Sequence, residues 1–148
     1  MRVTLSLRGD YAVRAMLALA EHQHGHDAGD LDGALAPRLS AGRIATRMRI
    51  PKRYVAHVLT DLVRAGLVIG STGRNGGYRL SLPPDQVDLL RIVDAAEPEH
   101  LPARCVLRGI PCDPDGRCAV HDAFSAAGAA LRAELARTTL ASLVGAPA

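Results

Sequence analysis

The chain of 148 residues is 48% hydrophobic and 22% charged, an ordinary globular composition that excludes a disordered chain or a large multidomain enzyme. It has no apolar run near the roughly 20 residues that a membrane span needs, and its N-terminus lacks the apolar region of a signal peptide. We therefore expect a cytoplasmic protein with no membrane partner. In that compartment its three cysteines are more often metal ligands or reactive thiols than a disulfide framework.

The net charge of +3 is unevenly divided along the chain. Residues 1–82 carry a net charge of +6, and residues 83–148 carry −3. One stretch holds eight cations against the single acid Asp61: Arg43, Arg47, Arg49, Lys52, Arg53, Arg64, Arg74 and Arg79. A concentrated positive patch is typical of a protein with a polyanion partner, although a solvated basic surface is the plainer explanation.

The first 39 residues predict one helix followed by a surface loop. A helix over residues 9–21 would bury a stripe at helical spacing, formed by Val13, Met16, Leu17 and Ala20. Residues 22–39 are rich in glycine and short polar side chains, and we expect them to form a mobile loop. His22, His24 and His26 alternate there, which could suggest a metal site, but three histidines without a rigid frame are more often part of a solvated loop.

A helix-turn-helix is predicted next. Ser40 is a good N-cap for a short helix, and Pro51 stands where the first residue of a second helix is expected. Gly66 would end that second helix. Its apolar face is formed by Val55, Val58, Leu59, Leu62 and Val63. Residues 67–69 and 78–82 read as two strands joined by the turn at residues 73–77. Together these elements predict a winged helix-turn-helix.

The polar face of the second helix is the candidate DNA-reading surface. Lys52, Arg53, His57 and Thr60 lie opposite the apolar stripe and would enter the major groove. In the wing, Arg74 offers a charged fork to phosphates, and Asn75 is either a contact or simply a turn residue. The full predicted DNA-binding set is Arg43, Lys52, Arg53, His57, Thr60, Arg74, Asn75 and Arg79. A winged helix that binds protein instead is the alternative.

Pro83-Pro84 marks a predicted boundary between a DNA-binding domain, residues 1–83, and a second unit, residues 84–148. Asp85 would open a helix whose apolar positions are Val87, Leu90, Ile92 and Val93. From residue 118 or 119 a long helix carries a stripe spaced by four and three: Val120, Phe124, Ala127, Leu131, Leu135 and Thr138. An adjacent row of alanines would permit close approach of a partner helix. We predict a homodimer through this helix, with an internal packing face as the alternative.

The cysteines and a histidine follow the pattern C-x6-C-x5-C-x2-H, formed by Cys105, Cys112, Cys118 and His121. Thiolates are the ligands of iron-sulfur clusters and of zinc, and three of them on a loop rich in proline and glycine can converge on one centre. Structural zinc ligands usually stand two to four residues apart, so this spacing fits zinc poorly. Three unrelated thiols remain the simplest alternative.

At this point the sequence resembles the winged-helix regulators typified by IscR and NsrR, many of which carry an iron-sulfur cluster. The resemblance spans nearly the whole chain, in LSLRGDYAVRAML (residues 5–17), IPKRYV (50–55), GLV (66–68), GRNGGYRL (73–80), the three cysteines and TLASL (139–143). It implies a homodimer on a palindromic operator, with the cluster between the end of the dimerisation helix and the partner's DNA-binding domain.

The resemblance also implies the ligands of the cluster. Cys105, Cys112 and Cys118 match the three cysteine ligands of these regulators. The fourth ligand differs within the family: IscR-like members hold a 2Fe-2S cluster with a histidine, which His121 matches. NsrR-like members hold a 4Fe-4S cluster with an aspartate from the partner's first helix, which Asp10 matches. We favour Asp10, because it would connect the cluster directly to the DNA-binding domain.

The predicted fold is mainly α with a small β-hairpin wing, a winged helix-turn-helix domain followed by a long C-terminal dimerisation helix. The predicted function is a DNA-binding transcriptional repressor controlled by an iron-sulfur cluster that senses redox state, nitric oxide or iron. A cluster-free thiol-based redox regulator of the same fold, or a zinc-stabilised protein-binding adaptor, are the alternatives. The chain has no Gly-rich phosphate loop before a helix and no paired carboxylates of a plausible cleft, so an enzyme is not expected.

Overall fold

The structure, a computed structural model, describes residues 5–25, 37–97, 107, 109 and 118–144. The helices are α1 (Leu7–His24), α2 (Ala41–Met48), α3 (Lys52–Arg64), α4 (Leu89–Ala96), α5 (His121–Arg137) and α6 (Leu140–Leu143). Strands β1 (Val68–Ser71) and β2 (Gly77–Leu80) follow α3, and a 3-10 turn (Pro84–Gln86) precedes α4. The predicted class is confirmed: the fold is mainly helical, with one antiparallel hairpin. No helix in the described ranges is both long and apolar enough to cross a membrane.

Helix α1 is the centre of the core. Ser6 caps it, since its hydroxyl accepts a hydrogen bond from the Gly9 amide at 3.0 Å. The predicted stripe is partly wrong, because Val13 and Leu17 are only half-buried. The fully buried set is Ala12, Ala15, Met16, Ala18, Leu19 and Ala20. Helices α2, α3, α4 and α6 and strand β2 all pack on α1, so more than one stripe is covered, and small alanines allow them to come close.

Helix α1 runs further than predicted and takes up the start of the expected loop. His22 and His24 lie in its last turn, so the loop prediction is wrong for them. At the other end of that segment, Leu39 is buried and pairs with Tyr78 of β2. His26 and the rest of residues 26–36 lie outside the described residues.

Helices α2 and α3 form the predicted helix-turn-helix. The Ser40 hydroxyl accepts from the Arg43 amide at 3.3 Å and so caps α2. Arg49 ends α2 in the left-handed region, with φ 53°. Pro51 is the cap of α3 rather than its first residue, because its ψ of 131° is extended. The predicted buried positions of α3 are confirmed except Val63, which is 40% exposed.

The wing follows directly from α3. Gly66 has φ 72° and reverses the chain, as its predicted role as a helix stop requires. Strand β1 pairs with β2 in the register Val68 to Leu80, close to the predicted strands. The amides of Leu39 and Tyr78 exchange hydrogen bonds of 2.9 Å with each other's carbonyls, so the chain before α2 lies against β2. Gly77 permits this approach, because a Cβ there would lie 3.0 Å from the Leu39 carbonyl oxygen.

The prediction that Asp85 opens the next helix is wrong. Asp88 caps α4 instead, and its carboxylate accepts from the Arg91 amide at 2.9 Å. Val87, which directly precedes Asp88, is extended, and its carbonyl accepts from the Leu140 amide at 2.8 Å. Val87, Ile92, Ala96 and Leu140 belong to the same core as α1. The core is thus continuous across residue 83, and the division into residues 1–83 and 84–148 stays a prediction.

Helix α5 begins at His121, three residues later than the earliest predicted start, and has no buried residue. Arg132 holds it to α4 through two hydrogen bonds to the Asp94 carboxylate, at 3.1 and 2.9 Å. These bonds and the charge of Asp94 raise the pKa of Arg132 above its ordinary value. The C-terminal end of α5 is also fixed, since the Leu89 amide donates to the Thr138 carbonyl at 2.9 Å. Both of these attachments lie in the C-terminal half of α5.

Candidate nucleic-acid interface

The outer face of α3 carries the predicted base-reading side chains. Lys52, Arg53, His57 and Thr60 are all exposed, while the apolar side of the helix is buried. The Thr60 hydroxyl donates to the Ala56 carbonyl at 2.9 Å, which leaves its oxygen available as an acceptor. The predicted separation of the two faces is confirmed, and the role of the exposed side chains stays a prediction.

Helix α2 adds cations beside the start of α3. Arg43 and Lys52 line one open cleft of about 650 Å³, together with Arg47. Arg47 is partly neutralised, since its guanidinium donates to the Glu21 carboxylate at 2.7 Å. Arg43 and Lys52 have no ion pair with the described residues. The structure therefore brings these two predicted DNA-binding residues together on one positive groove.

Aromatic contacts at the start of α3 were missed by sequence reasoning. The guanidinium carbon of Arg53 lies 4.8 Å from the centroid of the Tyr54 ring, within the range of a cation–π contact. The Tyr54 ring lies 5.6 Å from that of Tyr11 on α1. With only four aromatic residues in the chain, the presence of a tyrosine beside a predicted DNA-binding arginine was the available signal.

The two predicted DNA-binding arginines of the wing differ in position and in exposure. Arg74 and Asn75 are exposed in the turn between the strands, where the prediction expected them. Arg79 is half-buried on β2, and its Nη1 donates to the Leu80 carbonyl at 3.4 Å. Arg79 therefore lies in the body of the hairpin, whereas Arg74 lies in its turn.

Asp10, the favoured fourth cluster ligand, lies in the first turn of α1 and is half-exposed. Both of its carboxylate oxygens face Arg14, with Nε to Oδ1 at 3.0 Å and Nη2 to Oδ2 at 2.8 Å. Arg14 also donates to the Met48 carbonyl at 3.4 Å, beside the turn of the helix-turn-helix. A ligand role for Asp10 thus requires its carboxylate to be shared with Arg14 or released from it.

A second cleft, of about 600 Å³, lies beside the start of α1. Tyr11 and Leu7 line one wall, and Tyr54 and His57 of α3 line the other. Glu97 closes one end, where its carboxylate accepts from the Ser6 hydroxyl. Near this cleft Arg8 of α1 pairs with Asp61 of α3 at 2.5 Å. Helices α1 and α3 are therefore joined by an ion pair as well as by the tyrosine contact.

Cys118 and His121 lie within one turn of each other at the start of α5. The His121 amide donates to the Cys118 carbonyl at 3.0 Å, and both side chains are half-buried. The His121 ring also lies 3.4 Å from the Ser125 hydroxyl. Cys105 and Cys112 lie outside the described residues. Among the side chains that are described, no three histidine, cysteine or acidic residues converge as a metal site.

The donor chemistry at this end of α5 fits an iron-sulfur cluster. A cysteine thiol and an imidazole lie within one turn, and two further cysteines precede them in the chain. Cysteine and histidine are soft and borderline donors, and the carboxylate of Asp10 would add a harder oxygen donor.

The chain belongs to the Rrf2 family, described as iron-dependent transcriptional regulators, which it matches over residues 5–146. The family consists of regulators of transcription that bind DNA, so the chain is a regulator and not an enzyme.

Relatives of known sequence and structure agree with this assignment. An rrf2-like HTH-type transcriptional regulator of Rhodobacter capsulatus is 33% identical over 120 residues, covering 78% of this chain and 75% of the relative. The structure of CymR, the global cysteine regulator of B. subtilis, is similar with a TM-score of 0.73 at 24% identity and covers 97% of each chain. T. potens IscR has a TM-score of 0.71 at 23% identity, covering 95% of this chain and 85% of that one. The two structures support the fold alone.

Proposed function

We propose that this regulator is a homodimeric repressor whose affinity for a palindromic operator is controlled by an iron-sulfur cluster, and that it acts in the cytoplasm. The observation that carries the proposal is that Cys118 and His121 lie within one turn at the start of α5, in a chain of a family described as iron-dependent. The signal is redox state, nitric oxide or iron supply, since each of these changes an iron-sulfur centre.

DNA binding rests on the exposed cations of α2, α3 and the wing. Lys52 and Arg53 at the start of α3 meet phosphates or guanine edges, and His57 and Thr60 reach bases deeper in the major groove. Arg43 binds the flanking backbone beside Lys52. The wing lies along the backbone or in the minor groove with Arg74, Asn75 and Arg79. The exposure of this surface, in which the one acid Asp61 is paired with Arg8, supports a phosphate partner.

Dimerisation rests on the apolar stripe of α5. Phe124 is 45% exposed and Leu131 is 41% exposed, although both are large apolar side chains. None of the residues of α5 is fully buried by the described part of the chain. Packing against the same helix of a second copy would bury it in a two-fold arrangement. Two recognition helices in such a dimer then meet half-sites about 34 Å apart.

The cluster ligands are Cys105, Cys112 and Cys118 with Asp10 of the partner subunit, or with His121 as the alternative fourth ligand. When bound, the cluster supplies iron centres that respond to oxidants, nitric oxide and iron supply. The cysteines would ligate as thiolates. As a ligand, the Asp10 carboxylate would be shared with Arg14 or released from it.

Control of DNA binding follows from how α5 is attached. Its C-terminal end is fixed to α4 by Arg132 and Asp94, and to residues 87–89 by backbone hydrogen bonds. Gain or loss of a cluster held by Cys118 and the partner's Asp10 would therefore displace one DNA-binding domain relative to the other. The dimer shifts between arrangements that match the operator and arrangements that do not.

A thiol-based redox regulator of the same fold is the second candidate. It is favoured by Cys118, a half-exposed cysteine that lies just before α5. The family supports both options, since it includes a cluster-binding IscR and a CymR that lacks a cluster.

Anaerobic purification tests the proposal. Protein with iron and acid-labile sulfide should select a palindromic duplex from a random-sequence pool, and removal of the iron should change its affinity for that duplex. Colourless protein containing stoichiometric zinc would support the adaptor instead. Metal-free protein whose DNA affinity is switched by peroxide would support the thiol regulator.

A further inference from the structure

Two arginines stand together on one face of the wing. Leu39 is buried, so its neighbour Arg38 points to the opposite, outer side of this segment. A Cβ on Gly77 would lie 3.2 Å from the Cβ of Arg38, which places the Arg38 side chain against Gly77. Gly77 and Arg79 are two residues apart on β2 and so share a face. Arg38, on the segment before α2, therefore joins Arg79 on the outer face of the hairpin.

Neither arginine is satisfied by the protein around it. Both are half-buried, and the Nε of each is buried without a hydrogen-bond acceptor among the described residues. Arg38 makes no hydrogen bond or ion pair within those ranges, and the hydrogen bond of Arg79 to the Leu80 carbonyl is long at 3.4 Å. Two neighbouring positive charges repel each other, and half-buried donors without acceptors also cost free energy. An anion held between the two guanidinium groups would reduce the repulsion and accept hydrogen bonds from the donors.

The surroundings favour a phosphate as that anion. Residues 37–84 contain nine cations and only one acid, Asp61, which Arg8 already engages at 2.5 Å. In the same hairpin, the turn carries Arg74 and Asn75, which are exposed. DNA laid along the wing would therefore bring its backbone to both the turn and the face that bears Arg38 and Arg79.

We propose that Arg38 and Arg79 form a two-arginine site for a single phosphate of the DNA backbone, and that Arg38 is a DNA-contacting residue. The inference rests on the proposed DNA binding and adds a residue and a shared ligand to it. Bidentate guanidinium forks suit a phosphate, so the pair fixes the wing on the duplex without reading its sequence.

The test compares Arg38→Gln, Arg79→Gln and the double variant on the duplex selected by the wild type, using fluorescence anisotropy at several salt concentrations. Each single variant should weaken binding about tenfold, and the double variant little more, because both arginines hold one phosphate. In the double variant the slope of log affinity against log salt should flatten by about one unit. Arg137→Gln, which removes an exposed charge at the end of α5, is the control and should leave both quantities unchanged.

The outcomes separate this inference from the function beneath it. If the wild type selects no duplex, the proposed DNA binding fails. If the wild type binds and Arg38→Gln retains its affinity and salt slope, the site fails while the function stands. Additive losses with a slope change of about two units would assign the arginines to separate phosphates and overturn the shared site. Unchanged thermal melting of each variant shows that the hairpin is folded.

Discussion

The guanidinium of Arg53 rests over the ring of Tyr54, 4.8 Å from the ring centroid, in the first turn of α3. Tyr54 is itself held by Tyr11 of α1, at a ring separation of 5.6 Å. The orientation of a predicted DNA-contacting cation thus depends on the helix that carries Asp10. Helix α1 links the candidate cluster ligand to the candidate recognition surface through side-chain contacts as well as through the core.

Removing Arg53 should weaken operator binding more than removing the ring beneath it. Arg53→Ala deletes the charge and is expected to lower affinity about tenfold. Tyr54→Leu keeps the charge but removes the cation–π contact, so a smaller loss is expected. Anisotropy with the selected duplex measures both, and thermal melting confirms folding. Full affinity in Arg53→Ala would show that α3 does not present this residue to DNA.

Arg74 should contribute affinity without sequence preference. Arg74→Ala removes one exposed cation from the turn of the wing and should flatten the salt dependence of binding by about one unit. The loss should be similar on the selected duplex and on a scrambled one, because a phosphate contact carries no base information. A loss confined to the selected duplex would instead assign Arg74 to base reading.

The left-handed residue at the end of α2 predicts a stabilising substitution. Arg49 has φ 53°, a conformation that costs a non-glycine residue roughly 1–2 kcal/mol. Arg49→Gly should therefore raise the free energy of unfolding by about 1 kcal/mol, measured by urea denaturation. The control is Arg47→Gly, two residues earlier in the last turn of α2, which should lower it by about 1 kcal/mol because glycine is a poor helix former and the ion pair with Glu21 is lost. Equal destabilisation by both would contradict this account of the turn.

The exposed stripe of α5 should control the oligomeric state. Leu131→Asp would bury an unpaired carboxylate in the dimer at a cost of several kcal/mol, so sedimentation should show monomers where the wild type is dimeric. Ala129→Asp adds the same charge on the opposite side of the helix and should leave the dimer intact. A monomeric wild type would make the stripe an internal packing face.

Loss of different cluster ligands should destabilise the cluster to different extents. Replacing Cys105, Cys112 or Cys118 by Ala should abolish the cluster or destabilise it greatly, because each removes a thiolate from iron. An oxygen or imidazole ligand can be replaced by water or added thiol, so Asp10→Ala or His121→Ala should have the milder effect. Of these two variants, we expect Asp10→Ala to lose its cluster faster. The rate of loss is measured in air from the decay of the visible absorption.

Asp10→Ala also breaks the ion pair with Arg14, so it needs a matched control. Arg14→Ala removes the same pair and keeps the carboxylate. Faster cluster loss in Asp10→Ala than in Arg14→Ala would assign a ligand role to Asp10, since only the first lacks the donor. Faster loss in His121→Ala alone would assign the fourth position to His121.

Local patterns predicted the helix-turn-helix and the wing, because periodicity, caps and turn residues act within a few positions. Ser40 begins α2 and Gly66 stops the chain after α3, as their residue types predict. The pattern failed where distant contacts decide the structure. Asp85 and Asp88 both precede the apolar residues of α4, and the hydrogen bond from the Leu140 amide to the Val87 carbonyl holds Val87 extended just before Asp88.

The candidate site was predictable in the same uneven way. The exposed side of α3 follows from its buried side, so Lys52, Arg53, His57 and Thr60 could be found from spacing alone. Arg38 could not, because it stands in a segment with no periodic pattern and reaches the wing only through the pairing of Leu39 with Tyr78.

The most direct test of cluster-controlled repression is the visible absorption spectrum of anaerobically purified protein, recorded with its iron and acid-labile sulfide content. The account predicts a coloured protein with iron and sulfide in matching amounts, and loss of both in the three Cys→Ala variants. Colourless wild-type protein with neither iron nor sulfide, purified under the same conditions, would contradict it.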